Sequence, residues 1–232
     1  MEGQLNTDER AIISHWVNEI KPKLVLEVGT WKGGGSTLHI LKALEVNHKG
    51  HLWGIEASQD IYDQMIANIT SAGDDLVARF TPIFGFSQKV IPSFLANQCI
   101  DSKIGVVFLD GGDNPMEQVE EFQLLRDRIA VGGVLLSHDA KLRKGKWLVP
   151  YLRAHDNWRC KIHDVSGEGL FEARKISEYP SARSVAEAAS VLRSLRMQPT
   201  ELVGRLLPSP MINLIFKCLT RKLVLSITQG RH

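Results

Sequence analysis

Cysteine is scarce in this sequence: Cys99, Cys160 and Cys218 are the only three among 232 residues. They lie far apart, show no metal-ligand spacing and leave one thiol unpaired however the other two combine, so they read as reduced, structural thiols. Long apolar runs are missing as well. No stretch approaches the roughly 18 uncharged apolar residues of a membrane-spanning helix. Met1 to Arg10 carries too many polar and acidic residues for a secretion signal, so a soluble, cytoplasmic protein is the expectation. A dominant charge sign is also absent, since 28 Lys and Arg against 26 Asp and Glu leave only +2, which gives no case for nucleic acid as a partner. Neither an internal repeat nor a low-complexity segment is present.

What remains is an ordinary globular composition, 44% hydrophobic and 23% charged, in a chain long enough for one substantial core. The charge is unevenly placed. Residues 181–232 hold eight Lys or Arg against Glu187 and Glu201, a local +6 that leaves residues 1–180 at −4. A boundary near Pro180 follows, with a main domain over 1–180 and a basic helical extension over 181–232. Pro199, Pro208 and Pro210 break that extension, and 202–207 and 211–219 are apolar. Such a tail suits a helical lid, a homodimer contact or a peripheral contact with anionic lipid.

Within the main domain the apolar periodicity alternates. Asn6-Thr7-Asp8-Glu9 offers a helix N-cap with an acidic first turn, and Ile12, Ile13, Trp16, Val17 and Ile20 then repeat at helical spacing up to Pro22. Leu24–Val28 is a short apolar run of the kind expected of a strand buried on both faces, and the glycines after it lead into a helix through Leu38, Ile40, Leu41 and Leu44. Further strands are expected at 51–55, 77–84, 104–109 and 133–137, and helices at 61–72, 88–95, 115–127 and 146–154. Strands separated by single helices run parallel. The last two, at 158–165 and 169–175, are joined only by Ser166-Gly167-Glu168, too short for a crossover, and so pair as an antiparallel hairpin. The expected fold is α/β, a Rossmann-like doubly wound sheet of seven strands with the last one antiparallel.

Ligands of such a sheet bind beyond the carboxyl ends of its strands, where glycines admit close backbone approach and helix N-termini offer free N–H groups. The turn Gly29-Thr30-Trp31-Lys32-Gly33-Gly34-Gly35-Ser36 lies there. Glu27, just before it, is a charged residue in a buried strand, and leaving it unpaired is costly. A ligand's ammonium group or an internal ion pair would satisfy it. Glu56, 21 residues after Gly35, closes the second strand, where a carboxylate can accept from both hydroxyls of a ribose or cap the next helix.

The motifs Glu27 to Thr37, Gly54-Ile55-Glu56, Gly85-Phe86-Ser87-Gln88, Val107-Phe108-Leu109-Asp110 and Gly132 to Asp139 together resemble those of class I S-adenosylmethionine-dependent methyltransferases. The closest types are small-molecule O-methyltransferases of the catechol O-methyltransferase-like and macrocin O-methyltransferase-like groups. The resemblance spans residues 24–175 and implies the roles that follow. Glu27 and the turn containing Gly29, Thr30, Trp31, Gly33, Gly35 and Ser36 would hold the methionine part of S-adenosylmethionine, Glu56 the ribose, and Ser87 with Gln88 the adenine. Asp110 would lie beside the sulfonium and, with His138 and Asp139, form the catalytic group and the site of Mg²⁺ or another divalent cation.

Two departures from the family pattern stand out. His138-Asp139 replaces the further oxygen ligands of metal-dependent relatives, and Mg²⁺ prefers oxygen. Gly111-Gly112-Asp113-Asn114 follows Asp110 without the lysine base of some relatives, leaving Asp113 as a third carboxylate. Two ways to activate a small-molecule hydroxyl therefore stay open, a divalent ion on Asp110 and Asp139 or His138 as general base. A non-catalytic cofactor-binding protein with a decayed metal site, and a membrane-peripheral adaptor, are the rival readings.

Overall fold

The computed structural model describes residues 5–100 and 102–198. The expected boundary near Pro180 is described on both sides, whereas the apolar stretches at 202–207 and 211–219 and most of the basic extension lie outside the described residues. The chain divides into two compact units, 1–188 and 189–232.

Helix α1 (Thr7–Ile20) precedes β1 (Leu24–Val28), followed by α2 (Ser36–Val46), β2 (His51–Glu56), α3 (Gln59–Ala72) and the short α4 (Asp74–Val77). Then come β3 (Phe80–Phe84), α5 (Ser87–Gln98), β4 (Ile104–Leu109), α6 (Pro115–Leu125), β5 (Ile129–Ser137) and α7 (Leu148–Arg153). The series closes with β6 (Trp158–His163), β7 (Leu170–Lys175) and α8 (Ala182–Arg196). The strands form one seven-stranded sheet in the order β3-β2-β1-β4-β5-β7-β6. All neighbours from β3 to β5 are parallel, and β7 runs antiparallel to both β5 and β6. The alternation and the hairpin read from the sequence are both present.

Two strand starts differ from expectation by three residues or more. The third strand starts at Phe80 rather than Val77, because Asp74 and Asp75 after Gly73 supply an acidic first turn and 74–77 coils into α4. The fifth strand starts four residues earlier, at Ile129, where its pairing with β4 shifts register between Ile104 and Val106 and Gly132 adopts φ +85°. That irregularity interrupts the apolar pattern and hides the strand's beginning.

Helix α1 is set by a capping box in which the Asn6 side chain accepts from the Glu9 N–H at 2.9 Å and the Glu9 carboxylate accepts from the Asn6 N–H at 3.0 Å. Every residue of β1 and β4 is buried, as expected of central strands covered on both faces. Ile13, Val17, Ile40, Leu41, Leu44, Met65 and Ile69 close one core cluster over Val25, Val106, Phe108 and Val134. Elsewhere Phe122 meets Tyr151, His155 and Trp158 edge-on. After β1 the chain builds outward through β2 and β3 and returns to β4 on β1's other side. That reversal opens a crevice at the carboxyl ends of β1 and β4.

Candidate active site

The crevice is shaped by a close backbone approach. The Asp110 N–H donates to the Val28 carbonyl at 2.8 Å and the Gly29 N–H to the Ile55 carbonyl at 2.9 Å. A Cβ on Gly29 would stand 2.6 Å from the Gly111 nitrogen, and its φ is +85°, so only glycine fits. A cavity of about 400 Å³ opens here, bordered among others by Gly29, Trp31, Glu56, Ser87, Gln88, Asp110, Glu121, Asp139 and Lys144. A smaller neighbouring pocket is lined by Gly29, Thr30, Trp31, Gly35, Ser36 and Asp110. Most of the site residues expected from the sequence thus converge. Gly33, with φ +77°, faces Met65 and Ile69 of α3 and lines neither space, and neither do Glu27 and His138.

Glu27 is wholly buried in β1, and neither carboxylate oxygen makes a hydrogen bond of ordinary geometry, the Ser36 and Thr37 hydroxyls being its nearby polar neighbours. Burial pushes its pKa up to about 7, against the opposing pull of the Ser36 and Thr37 hydroxyls. Glu56 is fixed differently. One oxygen accepts from the Ala57 and Ser58 N–H groups at 2.9 and 3.0 Å, and the other accepts from the Trp31 N–H at 3.1 Å. Trp31 itself is held at φ +48°, a region that non-glycine residues rarely occupy. The turn and Glu56 therefore form one connected wall of the cavity.

Ser87 opens α5, and its hydroxyl donates to Glu121 of α6 at 2.6 Å. The second Glu121 oxygen is buried without a partner, and desolvation lifts the pKa of this carboxyl to about 8. The sequence reading missed Glu121, which looks like one of several solvated acids on an amphipathic helix.

Asp110 after β4 and His138-Asp139 after β5 come together, with one ligand atom from each within 4.8 Å of the others. His138 Nδ1 stands 3.4 Å from Asp110 Oδ1 and 3.2 Å from Asp139 Oδ1. Its Nε2 faces Glu9 Oε1 at 3.3 Å. Burial works to lower the His138 pKa, but the carboxylates of Asp110, Asp139 and Glu9 prevail and raise it. His138 does not border the cavity; it stands behind Asp110 and Asp139, which do. Asp139 adopts φ +60°, a strained backbone at the point where its carboxylate is aimed.

Two charged residues of this cluster were not found by sequence reasoning. Lys144 extends its ammonium between the two aspartates, 2.7 Å from Asp110 Oδ1 and 2.8 Å from Asp139 Oδ2, and also donates to the Asp110 carbonyl at 2.9 Å. Its signal was the basic run Lys141 to Lys146 around Gly145. A Cβ on Gly145 would lie 2.6 Å from Asp139 O and Ala140 Cα, so the loop folds back on the residues it follows. Glu9 reads in sequence only as half of a capping box, yet its other role is to carry charge to His138.

The buried, unpartnered carboxyl of Glu27 beside the glycine turn fits the ammonium end of an S-adenosylmethionine-like ligand. The two aspartates fit a cation, and the position between them is held by Lys144.

Residues 26–140 match the family model described as a methyltransferase domain. A search of curated protein sequences returns no significant match. Among solved structures, the O-methyltransferase TomG from Streptomyces achromogenes, involved in tomaymycin synthesis and in complex with SAM, has a TM-score of 0.63 at 16% identity over 75% of this chain and 82% of that one. Cofactor-bound Rv0187 from MTB gives 0.63 at 16% identity over 75% and 83% of the two chains. The O-methyltransferase from Bacillus cereus in complex with SAH gives 0.60 at 17% identity over 74% and 82%. At these identities the likeness establishes the fold.

Proposed function

We propose that this chain, which carries a methyltransferase domain in residues 26–140 on a class I methyltransferase fold, transfers the methyl group of S-adenosylmethionine to a hydroxyl of a small molecule. The observation that carries this reading is Glu27, a wholly buried carboxyl that makes no hydrogen bond of ordinary geometry, near the end of β1 just before the glycine turn whose Gly29 and Trp31 line the cavity. The ligand's α-ammonium would satisfy it and return it to the charged form.

Glu56, already oriented by three backbone N–H groups, keeps about one of its four lone-pair sites, on the oxygen that accepts from Trp31, for a ribose hydroxyl. Ser87, Gln88 and Glu121 close the end of the cavity where the adenine would lie. Asp110 borders the cavity, and in this reading it would lie beside the sulfonium. In the displacement the S–CH₃ bond breaks as the O–CH₃ bond forms in line, and the acceptor hydroxyl gives up its proton. Asp139 faces the cavity and can accept that hydroxyl's hydrogen bond. His138, in contact with both aspartates and backed by Glu9, is the buried group that can take up that proton by way of Asp139.

The partner in this reading is a small-molecule acceptor in the cytoplasm, not nucleic acid. Among the described residues no helix is long and apolar enough to cross a membrane. The basic extension over 181–232 is read as a lid or homodimer contact, with contact to anionic lipid as the competing role. Deleting 181–232 and measuring vesicle binding separates them.

Calorimetric titration of S-adenosylhomocysteine tests the cofactor reading directly. Wild type binds saturably, and Glu56→Ala binds at least tenfold more weakly, about 1.4 kcal/mol. Absence of binding to wild type overturns the methyltransferase reading.

A further inference from the structure

We infer that Lys144 is the protein's own cation for the Asp110–Asp139 pair and that it excludes a divalent metal from that position. An ammonium has three N–H donors and no more. Here they meet three acceptors at ordinary hydrogen-bond distances: Asp110 Oδ1 at 2.7 Å, Asp139 Oδ2 at 2.8 Å and the Asp110 carbonyl at 2.9 Å. The donor set is complete, and the side chain is 11% exposed.

The loop that delivers Lys144 is anchored on both sides. The Ala140 and Lys141 N–H groups donate to the Gly169 and Glu168 carbonyls at 3.0 and 2.9 Å. On the far side, the Arg143 guanidinium donates to the Asp113 carbonyl at 3.0 Å, and Gly145 packs against Asp139 and Ala140 too closely for any side chain. Withdrawal of the ammonium would leave two carboxylates facing each other in a half-buried site.

The substitution has a chemical consequence. A divalent ion on two carboxylates keeps open coordination positions and can bind an acceptor oxygen directly. Lys144, with every N–H engaged by protein, offsets one of the pair's two charges and fixes its geometry but offers the acceptor no free donor. Lys144 is thus a positioning residue. The acceptor oxygen meets the carboxylate side of the cluster rather than a Lewis acid.

This inference stands on the Lys144 geometry and does not require methyl transfer. Electron paramagnetic titration of Mn²⁺ into wild type, Lys144→Met and Lys144→Gln tests it, with S-adenosylhomocysteine calorimetry run on the same samples as a separate arm. Wild type is expected to bind Mn²⁺ no more tightly than the millimolar range. The variants should bind at least tenfold more tightly, and adding Asp139→Asn should remove that gain. Micromolar binding by wild type overturns the inference whatever the variants do. So does failure of both folded variants to bind better than wild type, since the pair would then not be a cation position. If Lys144→Met does not fold, Lys144→Gln and the wild-type titration still decide. Absence of S-adenosylhomocysteine binding by wild type would count against the methyltransferase reading alone.

Discussion

Two lysines, Lys175 buried and Lys144 largely so, lie at opposite edges of the same sheet and are held in opposite ways. Lys144, at the carboxyl edge, sits between two carboxylates; burial tends to lower its pKa, but Asp110 and Asp139 raise it. Lys175, at the amino edge, donates to the Arg126 and Ile129 carbonyls, both at 2.9 Å, with Glu178 no nearer than 3.7 Å, and burial lowers its pKa. One is neutralised by full charges and the other is solvated by backbone dipoles. The surroundings differ in the same sense. The carboxyl edge holds the unpartnered Glu27, Glu121 Oε2 and His138 Nδ1 and the strained Asp139, whereas Asn157 Oδ1 is the unpartnered atom near Lys175. Unsatisfied buried groups concentrate where a ligand is to be met, whereas left-handed backbone occurs at both edges, at Trp31 and Asp139 on one and at Lys21 and His48 on the other.

If that contrast is sound, substitutions at the two edges should separate catalysis from stability. The largest effect is expected at the carboxyl edge, where Asp139→Asn should lower the methyl-transfer rate by about 100-fold or more while S-adenosylhomocysteine affinity stays within about twofold, roughly 0.4 kcal/mol. An equal loss of affinity would place Asp139 in cofactor binding instead. At the amino edge, Lys175→Met strips the donor from two buried carbonyls and should cost about 2–3 kcal/mol in urea denaturation, with cofactor affinity unchanged in the folded fraction.

The pH dependence sharpens the comparison further. Glu121, with a folded pKa of about 8 against an ordinary 4.5, holds a proton that the unfolded chain has released throughout that interval. Its contribution to ligand-free stability is full below pH 4.5 and falls away as pH rises through about 8, at up to about 1.4 kcal/mol per pH unit. Urea midpoints between pH 5 and 9 should decline less steeply in Glu121→Gln; parallel curves would show that the carboxyl is charged in the folded protein. The smallest effect is expected for Glu178→Gln. Its pairing with Lys103 is well exposed, so it should change stability by less than about 1 kcal/mol. A larger loss would mean that Lys175 relies on that carboxylate after all.

The contrast also explains what the sequence could disclose. Strands β1 and β4 are buried on both faces and read as unbroken apolar runs, so the sheet and its hairpin were legible, as was the edge on which Glu27, Glu56, Asp110 and Asp139 gather. Strand position alone brings those four to one edge of the sheet. Lys144, Glu9 and Glu121 were not legible because their places depend on the path of a loop, a helix end and a helix face. Gly145 turns the loop back, α1 reaches across to the β5 loop, and α6 sets one of several acids beneath Ser87. None of these is a periodicity in the chain. The early start of β5 was obscured for a related reason, a register shift that breaks the pattern a strand would show.

Glu9 ties the first turn of α1 to residues made much later. It accepts from the Ser166 hydroxyl at 2.6 Å, and the Asn6 side chain donates to the Val165 carbonyl at 2.9 Å. At a synthesis rate of about 5–20 residues per second, the carboxylate behind His138 is exposed to the cell for roughly 10–30 s before its partner loop exists. On the ribosome, the turn between β6 and β7 is the last piece the histidine's surroundings await. A chain stalled short of that turn would carry every aspartate and the histidine of the cluster without the contact that holds Glu9 against them.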